Sequence, residues 1–254
     1  MAERAEIAEA VGRLDELTRR LRRECPWDRE QDERTIVPHT VEEAYELADA
    51  ANAGDDAKLL DELGDVLFQV HFLSLLLEER GAGDMAQVAE HCRRKLIRRH
   101  PHVFGEVEVD SARDVLRNWD AIKRDEPGRE RAIFGDVPEN LPALLHARKV
   151  QRRAASSGLD VDEVQFDAVR DQVGALESGA GDRDAAFAAL GDLLFAAVNV
   201  ARKLHLDPEL ALRSSSARFR AAVERAEELA TGPWEELGAD EKLSLYARAR
   251  YESQ

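Results

Sequence analysis

Cysteine is nearly missing from this 254-residue chain. The two present, Cys25 and Cys92, lie far apart and form no CxxC pair. That excludes a disulfide framework and predicts free thiols in a reducing cytoplasm. Glycine (15) and proline (8) are scarce. Few breakers, with Ala, Leu, Glu and Arg abundant, predict helix almost throughout. Positive charge is in deficit as well: 36 Lys and Arg face 52 Asp and Glu, a formal net charge of −16. Duplex nucleic acid is held by neutralising its phosphates, so no duplex DNA or RNA partner is expected. A small anionic ligand stays open if a metal ion screens the acids. Long apolar runs are lacking too. The longest, Val66 to Leu77, is interrupted by Gln69 and His71, short of the ~20 apolar residues of a membrane span. The N-terminal MAERAEIAEAVGRL is charged and amphipathic and has no apolar signal core. The expectation is a cytoplasmic protein with no membrane partner, long enough for one large domain or two small ones.

What is present reads as a series of helices. Ile7, Val11, Leu14, Leu17 and Leu21 recur at three- and four-residue steps and predict a helix over 3–24. Cys25-Pro26 ends it, and a loop is expected to Pro38. Thr40 is the expected N-cap of the next helix, with Glu43 closing a capping box. That helix runs to Ala53. A third runs from Asp55 or Asp56 to Glu79, with an apolar stripe of Leu59, Leu60, Leu63, Val66, Leu67, Val70 and Leu73. A fourth spans Asp84 to Arg99 and stops at His100-Pro101. A fifth, capped by Ser111, includes Trp119 and Lys123. Pro127, Gly128, Gly135, Pro138 and Pro142 mark a boundary. The reading is all-α, with a first domain over 1–126, a linker over 127–140 and a second domain over 141–254.

The chemistry concentrates between Val41 and Phe68. Glu43 and Glu46 are three apart, as are Glu62 and Asp65, and 15 residues separate the pairs. On two helices joined by a turn at Gly54, each pair projects from one face. Folding those faces together brings four carboxylates to one place. Two such charges 4 Å apart repel by about 4 kcal/mol at an effective dielectric near 20. A cation must sit there. An all-oxygen set suits Mg²⁺, with Mn²⁺ as substitute, better than zinc. A di-iron bundle would need ExxH motifs, and no histidine here has a Glu three residues before it. Mg²⁺ on several carboxylates keeps positions for water and phosphate oxygens. The phosphates then need cations of their own, and Lys95, Arg98 and Arg99 on one helix are candidates, with Lys123. Taken alone, that cluster also reads as a solvated basic face.

The second half repeats the first. Residues 188–198, AALGDLLFAAV, echo DELGDVLFQV at 61–70, and Arg218-Phe219 falls where Lys95-Leu96 stood. We read a tandem duplication of one helical unit. Ala189 replaces Glu62 while Asp192 matches Asp65. Residues 171–178 hold no ExxE, and Ala221-Ala222 replace Arg98-Arg99. The second copy keeps packing residues and has shed the chemistry.

ExxE followed about 15 residues later by ExxD resembles the all-α nucleoside triphosphate pyrophosphohydrolases. CPWDREQ (25–31), VEEAYEL (41–47), KLIRRHPHVFG (95–105), WDAIK (119–123) and LPALLHARKVQRRAASSGLD (141–160) extend the resemblance, in order, to the MazG family over nearly the whole chain. The resemblance implies hydrolysis between the α and β phosphates, giving a monophosphate and pyrophosphate. The usual role is house-cleaning of noncanonical or excess nucleotides. It implies metal ligation by Glu43, Glu46, Glu62 and Asp65 and phosphate binding by Lys95, Arg98 and Arg99. It also implies base or phosphate contacts from Trp119 and Lys123, and a homodimer. Water activation falls to Glu42 or to one of the metal-bound glutamates. The chain departs from the family in its second copy, where the acidic set is degraded and KFxRRF reads RFRAAV (218–223). It departs also at Asp32, where threonine is common. The expectation is a metal-dependent pyrophosphohydrolase working from its first domain. The alternative is a weak or inactive nucleotide-binding regulatory module.

Overall fold

A computed structural model describes residues 3–124, 126, 132–135, 137–160 and 163–252, with 112, 113 and 124 as backbone only. Among these residues there are α-helices, one 3-10 turn and no strand. The chain divides into two compact units, Met1–Lys123 and Arg124–Gln254. Of the expected linker, 127–140, residues 127–131 and 136 lie outside the described residues.

Unit 1 contains α1 (Arg4–Glu24), α2 (Pro26–Glu30), α3 (Glu33–Ala53), α4 (Asp56–Glu79), α5 (Met85–Arg99), α6 (Pro101–Phe104) and α7 (Ala112–Arg124). α3 and α4 form the central hairpin, and α1 packs on α4. Ile36 of α3 is buried against Phe72 and Leu76 of α4, with Phe68 and Leu73 alongside. Two bidentate pairs fix α1 to the end of α4. Arg19 donates to both oxygens of Glu78 at 2.9 and 2.6 Å, and Arg22 to both of Glu79 at 2.8 and 2.9 Å. Bidentate geometry holds a register as well as a contact.

Two expectations need correction here. The loop to Pro38 is absent: α2 fills part of it, and α3 begins at Glu33 rather than after Thr40. Asp32 is the N-cap, accepting from Arg34 N and Thr35 N at 2.8 and 3.0 Å, while Thr35 Oγ1 accepts from Asp32 N. Pro38 therefore sits inside a helix. Interior proline forfeits a backbone hydrogen bond and costs about 3 kcal/mol. A complete capping box and the burial of Ile36 outweigh it. Thr40, instead of capping, places its hydroxyl 3.3 Å from Ile36 O. The apolar stripe on α4 is also displaced. Its buried positions are Phe72, Leu75 and Leu76, whereas Leu60, Leu63 and Leu67 are exposed.

Unit 2 contains α8 (Ala143–Ser156), α9 (Phe166–Gly179), α10 (Arg183–Lys203), α11 (Pro208–Glu228), the 3-10 turn Trp234–Glu236 and α12 (Ala239–Glu252). α9 and α10 form its hairpin, α8 lies against α10 and α11, and α12 packs on α11. α10 is long and apolar enough, by length and composition alone, to cross a membrane.

Five helices start on an aspartate: Asp32, Asp55, Asp84, Asp182 and Asp207 each accept a backbone N–H of the first turn. Part of the acidic excess is thus spent on helix starts, where the helix dipole favours negative charge.

Candidate metal centre

The turn between α3 and α4 builds the centre. Gly54 is left-handed, with φ 69°. Its N–H and that of Asp55 close the end of α3 onto Ala50 O and Ala51 O. Asp55 Oδ1 then accepts from Ala57 N and Lys58 N at 3.1 and 3.0 Å and starts α4. Two residues therefore reverse the chain, and the inner faces of both helices meet.

Glu43 from α3 and Glu62 and Asp65 from α4 converge there. One carboxylate oxygen of each lies within 4.8 Å of the others. Glu62 is the buried member, at 5% exposure, Glu43 is half-buried, and Asp65 is exposed. Burial pushes the Glu43 carboxyl above its usual range, and the charges of Asp65, Glu46, Glu62 and Glu42 push it further. Glu62 is raised the same way, by burial first and then by Glu46. Lys58 opposes that rise, and Asp65 and Asp61 add to it. Lys58 Nζ stands 3.9 Å from Glu62 Oε1, one turn earlier on α4. A single half-exposed lysine offsets little of so much negative charge. Oxygen-only donors, mutually repelling and partly desolvated, fit a hard divalent cation.

Of the four acids expected to converge, the structure gathers three into one ligand-sized cluster. Glu46 is exposed and joins through its charge. Glu42 points elsewhere: it is exposed, with its carboxylate 3.2 Å from His39 Nδ1. The basic residues form a second group. Arg99 is 7% exposed and lies over the Trp119 ring, 5.1 Å from its centroid. His100 meets the same indole edge-on at 4.9 Å. Asp120 beside them is buried. Arg98 is exposed, and Lys95 and Lys123 are half-buried. The α5 and α7 residues are thus tied together by aromatic and cation–π packing.

Two features escaped sequence reasoning. Lys58 carries a legible signal, a lysine four residues before Glu62. Trp27, half exposed, packs edge-on against His39 with 5.9 Å between ring centroids, and His39 is one turn before Glu43. Nothing in the sequence spacing joins Trp27 to His39, because α2 and the cap at Asp32 create that contact.

A family model described as the MazG nucleotide pyrophosphohydrolase domain matches residues 31–104. The nucleoside triphosphate pyrophosphohydrolase of Escherichia coli (strain K12) is 36% identical over 241 residues, 86% of this chain and 88% of that protein. The nucleoside triphosphate pyrophosphohydrolase/pyrophosphatase MazG of Thermotoga maritima is 36% identical over 208 residues, 81% of this chain and 80% of that protein. The nucleoside triphosphate pyrophosphohydrolase of Mycobacterium tuberculosis is 36% identical over 155 residues, 60% of this chain and 46% of that protein.

Proposed function

The chain belongs to the MazG family of nucleoside triphosphate pyrophosphohydrolases, and we propose that its first unit carries the hydrolysis, cutting nucleoside triphosphates to a monophosphate and pyrophosphate with a divalent cation. One observation carries the placement. The matched domain, 31–104, lies wholly within unit 1 and spans Glu43, Glu46, Glu62, Asp65, Lys95, Arg98 and Arg99. The second unit has Ala189 where unit 1 has Glu62. Its hairpin of α9 and α10 supports descent from the same helical unit.

Glu43, Glu62 and Asp65 would hold Mg²⁺, or Mn²⁺ in its place, with Glu46 adding negative charge. Such a cation supplies Lewis-acid polarisation of phosphate oxygens and lowers the pKa of water. Lys95, Arg98 and Arg99 bind the triphosphate and stabilise the charge that builds on its oxygens. Trp119 keeps Arg99 in place and, with Lys123, contacts base or phosphate. Water attacks phosphorus, the bond to the bridging oxygen breaks, and pyrophosphate separates from the monophosphate. Glu42 or one of the ligand glutamates orients the water. Val41, Leu60, Leu63 and Leu67 are exposed around the acids, which supports a homodimer covering this face. The role we propose for this chemistry is cytoplasmic house-cleaning of noncanonical or excess nucleotides.

The test is an assay of purified protein with Mg²⁺ and a panel of triphosphates. Pyrophosphate and monophosphate should appear in equal amounts. Loss of groups that only support metal ligands costs about 10–100-fold, so Glu46→Ala should cost about that much and Glu62→Ala, which removes a ligand, about 100-fold or more. Asp192→Ala should leave the rate within about twofold. Pyrophosphate release that survived Glu62→Ala would refute the assignment, and orthophosphate as product would refute the reaction.

A further inference from the structure

The proposed chemistry leaves one aromatic group near the acids without a task. Glu43 and Glu46 stand on one face of α3, and His39 continues that row one turn toward the helix start. His39 meets the Trp27 ring of α2 edge-on, with 5.9 Å between centroids. Trp27 precedes the residues that the family model matches, 31–104.

The backbone around Trp27 is held, while its side chain is not covered. Gln31 Nε2 donates to Trp27 O at 2.9 Å. Arg22 of α1 donates through Nη1 to Asp28 O and to Gln31 O, the latter at 3.0 Å. Asp28, the next residue, is buried, and the capping box at Asp32 follows. Yet Trp27 is 51% exposed. An indole anchored on a fixed backbone and open to water is a stacking surface that loses little freedom when a flat ligand lands. The other indole of unit 1 is taken. Trp119 is half-buried, with Arg99 over its face at 5.1 Å and His100 edge-on at 4.9 Å.

Position decides what lands there. Residues four apart on a helix are neighbours, so the indole lies within roughly 10–15 Å of Glu43 by way of His39. A ribose and one phosphate bridge a gap of that size. We propose that Trp27 is the platform on which the nucleobase of the triphosphate stacks, with His39 positioning the indole, while Trp119 keeps to the phosphate side. This rests on reading unit 1 as the hydrolytic unit. Stacking on an aromatic face tolerates every base, so the contact supplies affinity and not choice among bases.

The full chain with Mg²⁺ tests this. KM and kcat are measured for ATP, CTP and UTP. Titration calorimetry compares AMP with pyrophosphate, which has no base. Trp27→Ala should raise KM for all three triphosphates by about tenfold or more. It should leave kcat within about threefold, the pattern of a contact made equally before and during the reaction. AMP should bind about tenfold or more weaker, and pyrophosphate within about twofold of the parent protein. AMP should also quench tryptophan fluorescence in the parent. Trp27→Phe, which keeps a ring, should lose most of that quenching and hold KM within about threefold. Circular dichroism and unchanged pyrophosphate binding show that each variant is folded. Unchanged KM and AMP affinity in Trp27→Ala would overturn the proposal. So would AMP that bound the parent no tighter than ribose 5-phosphate. Pyrophosphate weakened as much as AMP would make Trp27 a prop of the metal centre instead. Quenching that persisted in Trp27→Phe would put the base on Trp119. A dimer lost in Trp27→Ala, with AMP affinity kept, would assign the indole to an interface between copies. The hydrolytic reading fails separately, if the parent releases no pyrophosphate from any triphosphate.

Discussion

At the scale of single residues, the metal centre sets stability against function. Glu43 and Glu62 are raised by burial first and by their acidic neighbours next. A raised carboxyl binds its proton more tightly in the fold than in the unfolded chain. Stability is therefore lost as pH rises from the usual glutamate value of 4.5 through the raised one, and the loss is complete above it. At neutral pH the metal-free protein bears that cost in full. Glu62→Gln removes the charge and keeps the shape. Its melting temperature in EDTA should exceed that of the parent protein, while its pyrophosphate release falls by about 100-fold or more. A lower melting temperature would mean that Lys58, 3.9 Å away, had already neutralised the site. Metal competes with the same protons. Mg²⁺ affinity, followed by titration calorimetry, should fall as pH drops toward 4.5, and a flat profile would place the ligands elsewhere.

At the scale of elements, the site depends on a two-residue reversal. Gly54 is left-handed, and a Cβ built there would meet nothing within 4 Å. The cost of Gly54→Ala is then conformational alone, roughly 1–2 kcal/mol. That loss should be visible in urea unfolding. Mg²⁺ binding should weaken too, because the two acid faces meet only through this turn. Much of this element was legible beforehand. The i, i+3 acids, the glycine between them and the ends of α3 and α4 at Ala53 and Glu79 all follow local rules. The start of α3 was not legible, because Pro38 and Thr40 mimic a boundary. Asp32 and Thr35 form a capping box with equal local merit, and only the burial of Ile36 against α4 decides between them. The inner face of α4 was misjudged for a similar reason. Leu60 and Leu67 satisfy helical periodicity as well as Phe72 and Leu76 do, and periodicity does not say which face meets a neighbour. The gathering of Lys95, Arg98 and Arg99 opposite the acids was an inference from charge. The structure adds that Arg99 lies over Trp119, a contact between α5 and α7 that no spacing encodes.

At the scale of the whole molecule, the two units hold together by different chemistry, and that separates their responses to acid. Unit 1 gathers mutually repelling carboxylates on its α3–α4 hairpin. Unit 2 reads ALGD at 189–192 where unit 1 reads ELGD at 62–65, and it ties its hairpin end with Asp160. Asp160 takes hydrogen bonds from Arg202 Nη2 and Lys203 Nζ, each at 2.8 Å. Burial alone would push Asp160 up. The hydrogen bonds and charges of Arg202 and Lys203 outweigh it and bring it down to about 2 from 3.8. A lowered carboxyl stabilises the fold above its unfolded value and loses that contribution as pH falls through the folded one. The window is therefore roughly pH 4 to 2. Discounted for solvent screening at a partly exposed pair, the shift corresponds to about 1–2 kcal/mol. Asp160→Asn should remove that amount from unit 2 at neutral pH, read by urea unfolding. It should leave the pyrophosphate release of unit 1 within about twofold, because Asp160 and both its cationic partners lie in unit 2. The difference in stability between the two proteins should then vanish as pH approaches 2. If it persisted there, Asp160 would be acting through packing rather than charge. If activity fell with stability, the units would unfold as one, and the assignment of catalysis to an independently stable unit 1 would have to be abandoned.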